Sequence, residues 1–217
     1  MIAGAGDVSS GLQEQRIANT RARILDATVD CLAAYGYSGT TMVRIAERAK
    51  VSRGAQVHHF WSKTGLVRAV IPHLAAASSA ALAREIGRSV AVADPLDDAL
   101  RLLREVYRGP EFAAIVELWI AGRTDSALAS ELALLERTTT SNFSMALRPA
   151  FPGRESSPEF KSFVGCAMVA VVGALLANLV DLDPSRARRR WEQAVDGLRI
   201  TAAEVWREQG SSASRAL

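Results

Sequence analysis

Thr41, Ser52, Arg53, His58, His59 and Lys63 lie close together in the stretch TMVRIAERAKVSRGAQVHHFWSK, which runs from Thr41 to Lys63. They supply hydroxyl, guanidinium, imidazole and ammonium donors, the groups that bind phosphate oxygens and base edges. A guanidinium such as that of Arg53 can bond bidentately to guanine O6 and N7. A metal site is not indicated, because adjacent helical residues such as His58 and His59 point about 100° apart. The i, i+4 spacing that grips zinc is missing.

Two short helices must position these groups. Thr41 is an N-cap whose hydroxyl can accept from a free backbone N–H of the first turn, and Met42 to Ala49 suit one short helix. Ser52 is a second N-cap, and Arg53 to Phe60 form the second helix. Helices separated only by Lys50 and Val51 must cross steeply. That is helix-turn-helix geometry, whose second helix lies in the DNA major groove.

The order Thr41, Ile45-Ala46, Val51-Ser52-x-Gly54-Ala55, His58-His59-Phe60 and Ser62-Lys63 resembles the tetracycline-repressor (TetR) family of one-component regulators. The resemblance reaches back to about Arg21 and covers roughly the first third of the chain. It implies an all-α chain of about nine helices, divided into a three-helix DNA-binding domain at 1–62 and a larger effector-binding and dimerisation domain at 63–217. It also implies a DNA-facing set of Thr41, Ser52, Arg53, Gly54, Ala55, Val57, His58, His59 and Lys63. Arg53 is the main base reader in this set, and Val57 can press on a thymine methyl. Gly54 and Ala55 are small enough for close approach. Lys63, and Thr41 with the N-terminus of its helix, are the expected phosphate anchors.

Four positions depart from the family pattern. Gln56 replaces an apolar residue and either reaches DNA or sits half-buried on a backbone partner. Val57 replaces a tyrosine, and Trp61 a proline. Lys50 replaces the turn glycine, which costs about 1 kcal/mol if the site is left-handed.

Charge supports the placement of function. The net charge is +3, and residues 1–65 hold eight Lys/Arg against five acids, so all the excess lies with the helix-turn-helix. A positive segment suits phosphate. The leader MIAGAGDVSSGLQEQR lacks a basic, apolar signal pattern and is Gly/Ser-rich. The expectation is a mobile arm on a cytoplasmic protein. Cys31 and Cys166 have no metal or redox spacing and read as two small buried hydrophobes. No cofactor or metal is implied.

Helical periodicity and caps predict the remainder. Helix 1 spans about Leu12 to Tyr35, with Ile17 and Tyr35 on its inner face and Gly36 as its stop. Helix 4 runs from Ser62 to Gly87 and contains Pro72, which predicts a kink near Ile71. That kink would be either a hinge or a bend around the core. Helix 5 opens at Asp94-Pro95, and helix 6 presents Phe112, Ile115, Val116, Trp119 and Ile120, with Arg123 continuing that face. Helix 7 spans Ser126 to Leu147, with Leu128, Leu132, Leu135, Thr139, Asn142 and Ala146 inward. Trp119, Arg123, Thr139 and Asn142 are the candidate effector contacts; a backbone carbonyl or Asp125 could equally satisfy the polar ones. Helix 8 spans Pro158 to Leu182, uncharged from Phe163 to Val180 and at the lower edge of a membrane span. Its small-residue stripe Ala167, Ala170, Ala174 and Ala177, with Trp191 and Leu198 of helix 9, suits a homodimer core, and no membrane is expected. Helix 9 starts at Asp183-Pro184 and carries Val205 and Trp206 on its apolar stripe. It ends near Gln209, ahead of a loose tail.

The expected function is a ligand-responsive regulator, most simply a repressor of a palindromic double-stranded operator, released by an unidentified small-molecule effector. A membrane-tethered regulator anchored by helix 8 is the alternative. An enzyme is disfavoured: there is no Gly-x-Ser-x-Gly elbow on a strand, no phosphate loop and no His-Glu-x-x-His.

Overall fold

The computed structural model describes residues 5–88, 94–181 and 183–213, with side chains described between residues 11 and 204. Its described residues form nine α-helices and no strand: α1 Ala5–Gly39, α2 Met42–Ala49, α3 Arg53–His59, α4 Lys63–Arg88, α5 Pro95–Val106, α6 Pro110–Gly122, α7 Ser126–Leu147, α8 Pro158–Val180 and α9 Pro184–Ala213. A 3-10 turn, Arg148–Ala150, follows α7.

The starts of these helices follow side-chain chemistry. Asp94, Ser157 and Asp183 each accept a first-turn N–H, and each precedes a proline at the first helical position. Proline there loses no hydrogen bond, because that N–H has no helical partner.

The chain forms two compact units. One holds residues up to Leu74 together with Pro110–Ala133, and the other holds Ala75–Gly109 and Leu134–Leu217. In the first, α1 packs on α2 and α6 around Ile24, Leu25, Leu32, Ile45, Leu66, Ile71 and Leu118. In the second, α8 packs on α9 and α5. Its centre is aromatic: the Phe151 ring lies 4.7 Å from Phe163 and 5.5 Å from Phe160.

The inner face of α7 is as the spacing predicts, since Leu128, Leu132, Leu135, Thr139, Asn142 and Ala146 are all buried. Several expectations are corrected. Helix α1 begins at Ala5 rather than Leu12, because extending a packed helix adds one hydrogen bond per residue fixed. The extension packs on nothing from Gly11 to Asn19, so Ile17 is exposed. Tyr35 is exposed too and carries the Arg44 guanidinium 4.5 Å from its ring centroid. On α6 the face against α1 uses Ala114, Ile115, Leu118 and Gly122, which turns Ile120 outward and leaves Arg123 exposed beyond the helix end. Helix α9 continues to Ala213, past Gln209 and through Gly210. The expected end of helix 8 at Leu182 and the side chains of Val205 and Trp206 lie outside the described residues.

Helix α8 corrects a more consequential expectation. The chain's own packing takes Ala167 and Ala174, with Phe163, Val164 and Val171. Cys166, Val169, Gly173, Leu176 and Val180 form the exposed stripe instead, and Val169 and Val180 are 70% and 88% exposed. Cys31 is buried as expected, and burial pushes its thiol pKa up, but Cys166 is on the outside.

The polar residues of α7 find side-chain partners. Asn142 donates to the Tyr107 hydroxyl at 3.0 Å and to Ser78 at 3.4 Å, and accepts from Ser79 at 3.2 Å. Burial raises the Tyr107 pKa against the opposing hydrogen bonds from Asn142, Thr139 and Ser78. Replacing Asn142 by Ala removes its three hydrogen bonds, to Tyr107, Ser78 and Ser79, from this core. Chemical or thermal unfolding should show a loss of about 1–3 kcal/mol.

Candidate nucleic-acid interface

The steep joint between α2 and α3 is made by backbone geometry. Lys50 sits at φ 54°, ψ 46°, in the left-handed region, and the Val51 N–H donates back to the Ala46 carbonyl at 3.1 Å. This is a Schellman closure on a lysine where glycine is the usual choice. Arg23 of α1 reaches across to the same turn. Its guanidinium donates to the Ala49 carbonyl and, at 3.1 Å, to that of Lys50. Both lie at the C-terminal end of α2, where carbonyls have no partner within the helix.

The caps are as expected. Thr41 Oγ1 accepts from the Arg44 N–H at 3.3 Å, and Ser52 Oγ accepts from the Ala55 N–H at 3.1 Å. Phe60 is buried under the Arg21 guanidinium, 5.5 Å from its ring centroid, and ends α3 in extended backbone. Ile45, Ala46 and Ala49 form the buried face of α2.

With the joint fixed, Thr41, Ser52, Arg53, Gly54 and His58 are exposed, and Ala55, Val57 and His59 are half-buried. Arg53 has no ion-pair or hydrogen-bond partner among the described residues, so its guanidinium is available. His59 packs beside Phe60, and its pKa is lowered, first by burial and then by His58 and Arg21. The shift favours the uncharged ring, which still offers a hydrogen bond. Trp61 is 87% exposed in the turn to α4.

Lys63 is brought to the same neighbourhood but turned inward. Its ammonium donates to the Tyr37 carbonyl and lies 4.3 Å from that residue's ring centroid, and burial lowers its pKa. Most of the other N-terminal cations are also engaged. Arg48 pairs with Asp30 at 2.8 Å, Arg44 donates to the Gly39 carbonyl, and Arg23 caps α2.

Gln56 is buried outright, where the sequence suggested a DNA contact or a half-buried side chain on a backbone partner. It is 1% exposed, and its Nε2 has no hydrogen-bond partner among the described residues.

The candidate effector residues divide. Thr139 and Asn142 belong to the buried network with Tyr107 described above. Trp119 is half-buried, and Arg123 lines a cleft of about 740 Å³ with Tyr35, Tyr37, Glu117 and Asp125. Sequence reasoning missed Arg23 and Glu117, whose partners are backbone groups distant in the chain.

Comparison with known proteins converges on one family. The family described as "Bacterial regulatory proteins, tetR family" matches residues 24–70. An uncharacterized HTH-type transcriptional regulator of Mycobacterium tuberculosis is 31% identical over 169 residues, spanning 78% of this chain and 83% of its own. The HTH-type transcriptional regulator BetI of Burkholderia thailandensis is 30% identical over 149 residues, spanning 64% and 73% of the two chains. A TetR-family regulator structure from Cytophaga hutchinsonii superposes with a TM-score of 0.67 at 15% identity, over 85% of this chain and 95% of that one.

Gln56→Met keeps the volume of the side chain and removes a buried donor without a partner. The variant should gain about 1 kcal/mol in unfolding free energy. Its affinity for DNA should stay within about twofold of wild type, since the amide does not face outward; denaturant unfolding and a gel shift check the two halves.

Proposed function

Because the chain belongs to the tetR family of bacterial regulatory proteins, which here means a DNA-binding helix-turn-helix transcriptional regulator, we propose that it is a cytoplasmic homodimeric repressor of a palindromic operator, released by a small-molecule effector. The observation that carries this reading is the outward, unpartnered Arg53 at the start of a capped α3. A guanidinium there can meet guanine O6 and N7. Val57 lies one turn on for a thymine methyl. Gly54 and Ala55 admit the sugar–phosphate wall, and Thr41, Ser52, His58 and His59 supply hydrogen bonds around it.

In this reading residues 1–62 bind DNA, and 63–217 bind the effector and dimerise through α8 and α9. The face offered to a second copy is the exposed stripe of α8 with Ile200 of α9, which is 62% exposed. It borders the half-buried Ala170, Ala177 and Trp191 rather than centring on Ala167, Ala174 and Leu198. A two-fold axis places two recognition helices about 34–36 Å apart, which is why the operator is palindromic. Thr139 and Asn142 of α7 are proposed as effector contacts within the second unit, and Trp119 and Arg123 are proposed separately within the first. The effector can lower DNA affinity only by its differential affinity for the two conformations.

A second reading has one observation behind it. Helices α4 and α8 are long and apolar enough to cross a membrane by length and composition, and α8 has a mean hydropathy of 2.4 over its best window. Fractionation without detergent decides between a covered dimer face and a lipid-facing one.

Two outcomes test the proposal. Arg53→Ala should weaken binding to the duplex that wild-type protein selects from a randomised pool by roughly tenfold or more, and relax the preference at one base pair. Val169→Asp should convert the protein to a monomer in analytical ultracentrifugation and lower affinity for the full palindrome at least about tenfold, because the second half-site no longer binds intramolecularly. A monomeric wild type with full affinity for the palindrome would refute the dimer.

A further inference from the structure

We propose that Glu117 and Lys63 are positioning residues for operator recognition, holding the two sides of Tyr37 and so fixing the segment from which the helix-turn-helix starts. The inference deepens the operator-binding reading and rests on it.

Helix α1 breaks at Gly36, at φ 68° and ψ 175°. The few residues that follow lead directly into Thr41, the cap of α2. Some of this connector's polar groups are satisfied locally. The Gly36 carbonyl accepts from the Thr40 N–H at 3.1 Å and from its hydroxyl at 2.7 Å, and Arg44 donates to the Gly39 carbonyl. Tyr37 is held from outside. Its N–H donates to Glu117 Oε2 of α6 at 3.1 Å, and its carbonyl accepts from the Lys63 ammonium at the start of α4. The same ammonium lies over the Tyr37 ring. Two charged side chains, from two helices, therefore grip one residue of the connector on opposite backbone groups.

Gly36 completes the arrangement. A Cβ at this position would stand 2.9 Å from Glu117 Oε2, and the positive φ strains any L side chain. The carboxylate packs directly on the break in α1, so the break and its anchor are one feature.

The placement of Lys63 changes its role. An ammonium aimed at a phosphate would add to the counterions released on binding. An ammonium bound to Tyr37 would not, although its loss would still misplace α2 and α3. The dependence of affinity on salt separates the two, since each phosphate contact contributes about 0.9 to the slope of log K against log salt concentration.

The experiment uses full-length protein and the duplex that wild type selects from a randomised pool, with binding measured across a salt series. Lys63→Met and Glu117→Ala should each weaken binding on the order of tenfold with the wild-type slope retained. Lys63→Arg and Glu117→Gln keep a donor and an acceptor respectively and should recover most of the loss. Gly36→Ala should weaken binding more in the wild-type background than in Glu117→Ala, where the carboxylate is gone.

Amide hydrogen exchange supplies a readout without DNA. Exchange at Tyr37 should accelerate in Glu117→Ala while α2 and α3 keep their protection. A slope shallower by about 0.9 in Lys63→Met would overturn the positioning role in favour of a phosphate contact. Wild-type affinity in Glu117→Ala, or unchanged exchange at Tyr37, would overturn it as well. A pool from which wild type enriches no sequence would contradict the operator reading instead, and the exchange comparison would still decide the grip on Tyr37.

Discussion

The left-handed turn at Lys50 is the constraint on which the DNA-facing surface depends. Two helices joined by so few residues can change direction only if one residue leaves the right-handed region. Here that residue has a Cβ, at a cost of about 1 kcal/mol relative to glycine. The Val51-to-Ala46 closure and the two bonds from Arg23 act on the same turn and oppose that cost. They also tie α2 to α1 at the one end where α2 has free carbonyls. The angle of α3, and hence the direction in which Arg53 points, follows from this joint together with the buried Gln56 and Phe60.

The same logic explains how the positive charge is used. A net +3 in the first 65 residues suggests a surface for phosphate, but formal charge is not available charge. Arg21, Arg23, Arg44, Arg48 and Lys63 all face a ring, a carbonyl or a carboxylate within the chain. These cations assemble the helix-turn-helix. Arg53 is left as the exposed guanidinium of α3 without a partner among the described residues.

What the sequence makes legible is whatever depends on neighbours in the chain. Caps at Thr41, Ser52, Asp94, Ser157 and Asp183, the stop at Gly36 and the inner stripe of α7 all follow from side chains bonding or packing within a few residues. The TetR-family resemblance, the all-α class and the helix count are legible for the same reason. What cannot be read depends on partners far away. Arg23 finds its carbonyls 26 and 27 residues on, and Glu117 finds Tyr37 at a separation of 80. Nothing local marks either residue. Lys63 misleads because a lysine beside a recognition helix has the same local signature whether it faces phosphate or protein. Helix α8 misleads differently. A helix apolar all round has no hydrophobic phase, so its sequence cannot say which stripe faces inward. The alanines suggest close packing, and they do pack closely, but Ala167 and Ala174 do so against their own chain.

That distinction bears on how the molecule divides its work. Local rules make each helix. The relation between helices in the first unit rests on the apolar core shared by α1, α2 and α6, and a small number of charged side chains bonded to backbone groups at helix ends add to it: Arg23 at the end of α2, Lys63 and Glu117 at the end of α1. Backbone acceptors and donors cannot be mutated away, so such ties tolerate change in the surrounding sequence as long as one charged group persists. They are also polar and partly solvated, and therefore breakable without opening the apolar core. A helix-turn-helix held in this way keeps its internal geometry through the buried residues of α1 and α2, while the polar ties at Tyr37 can break without opening that core.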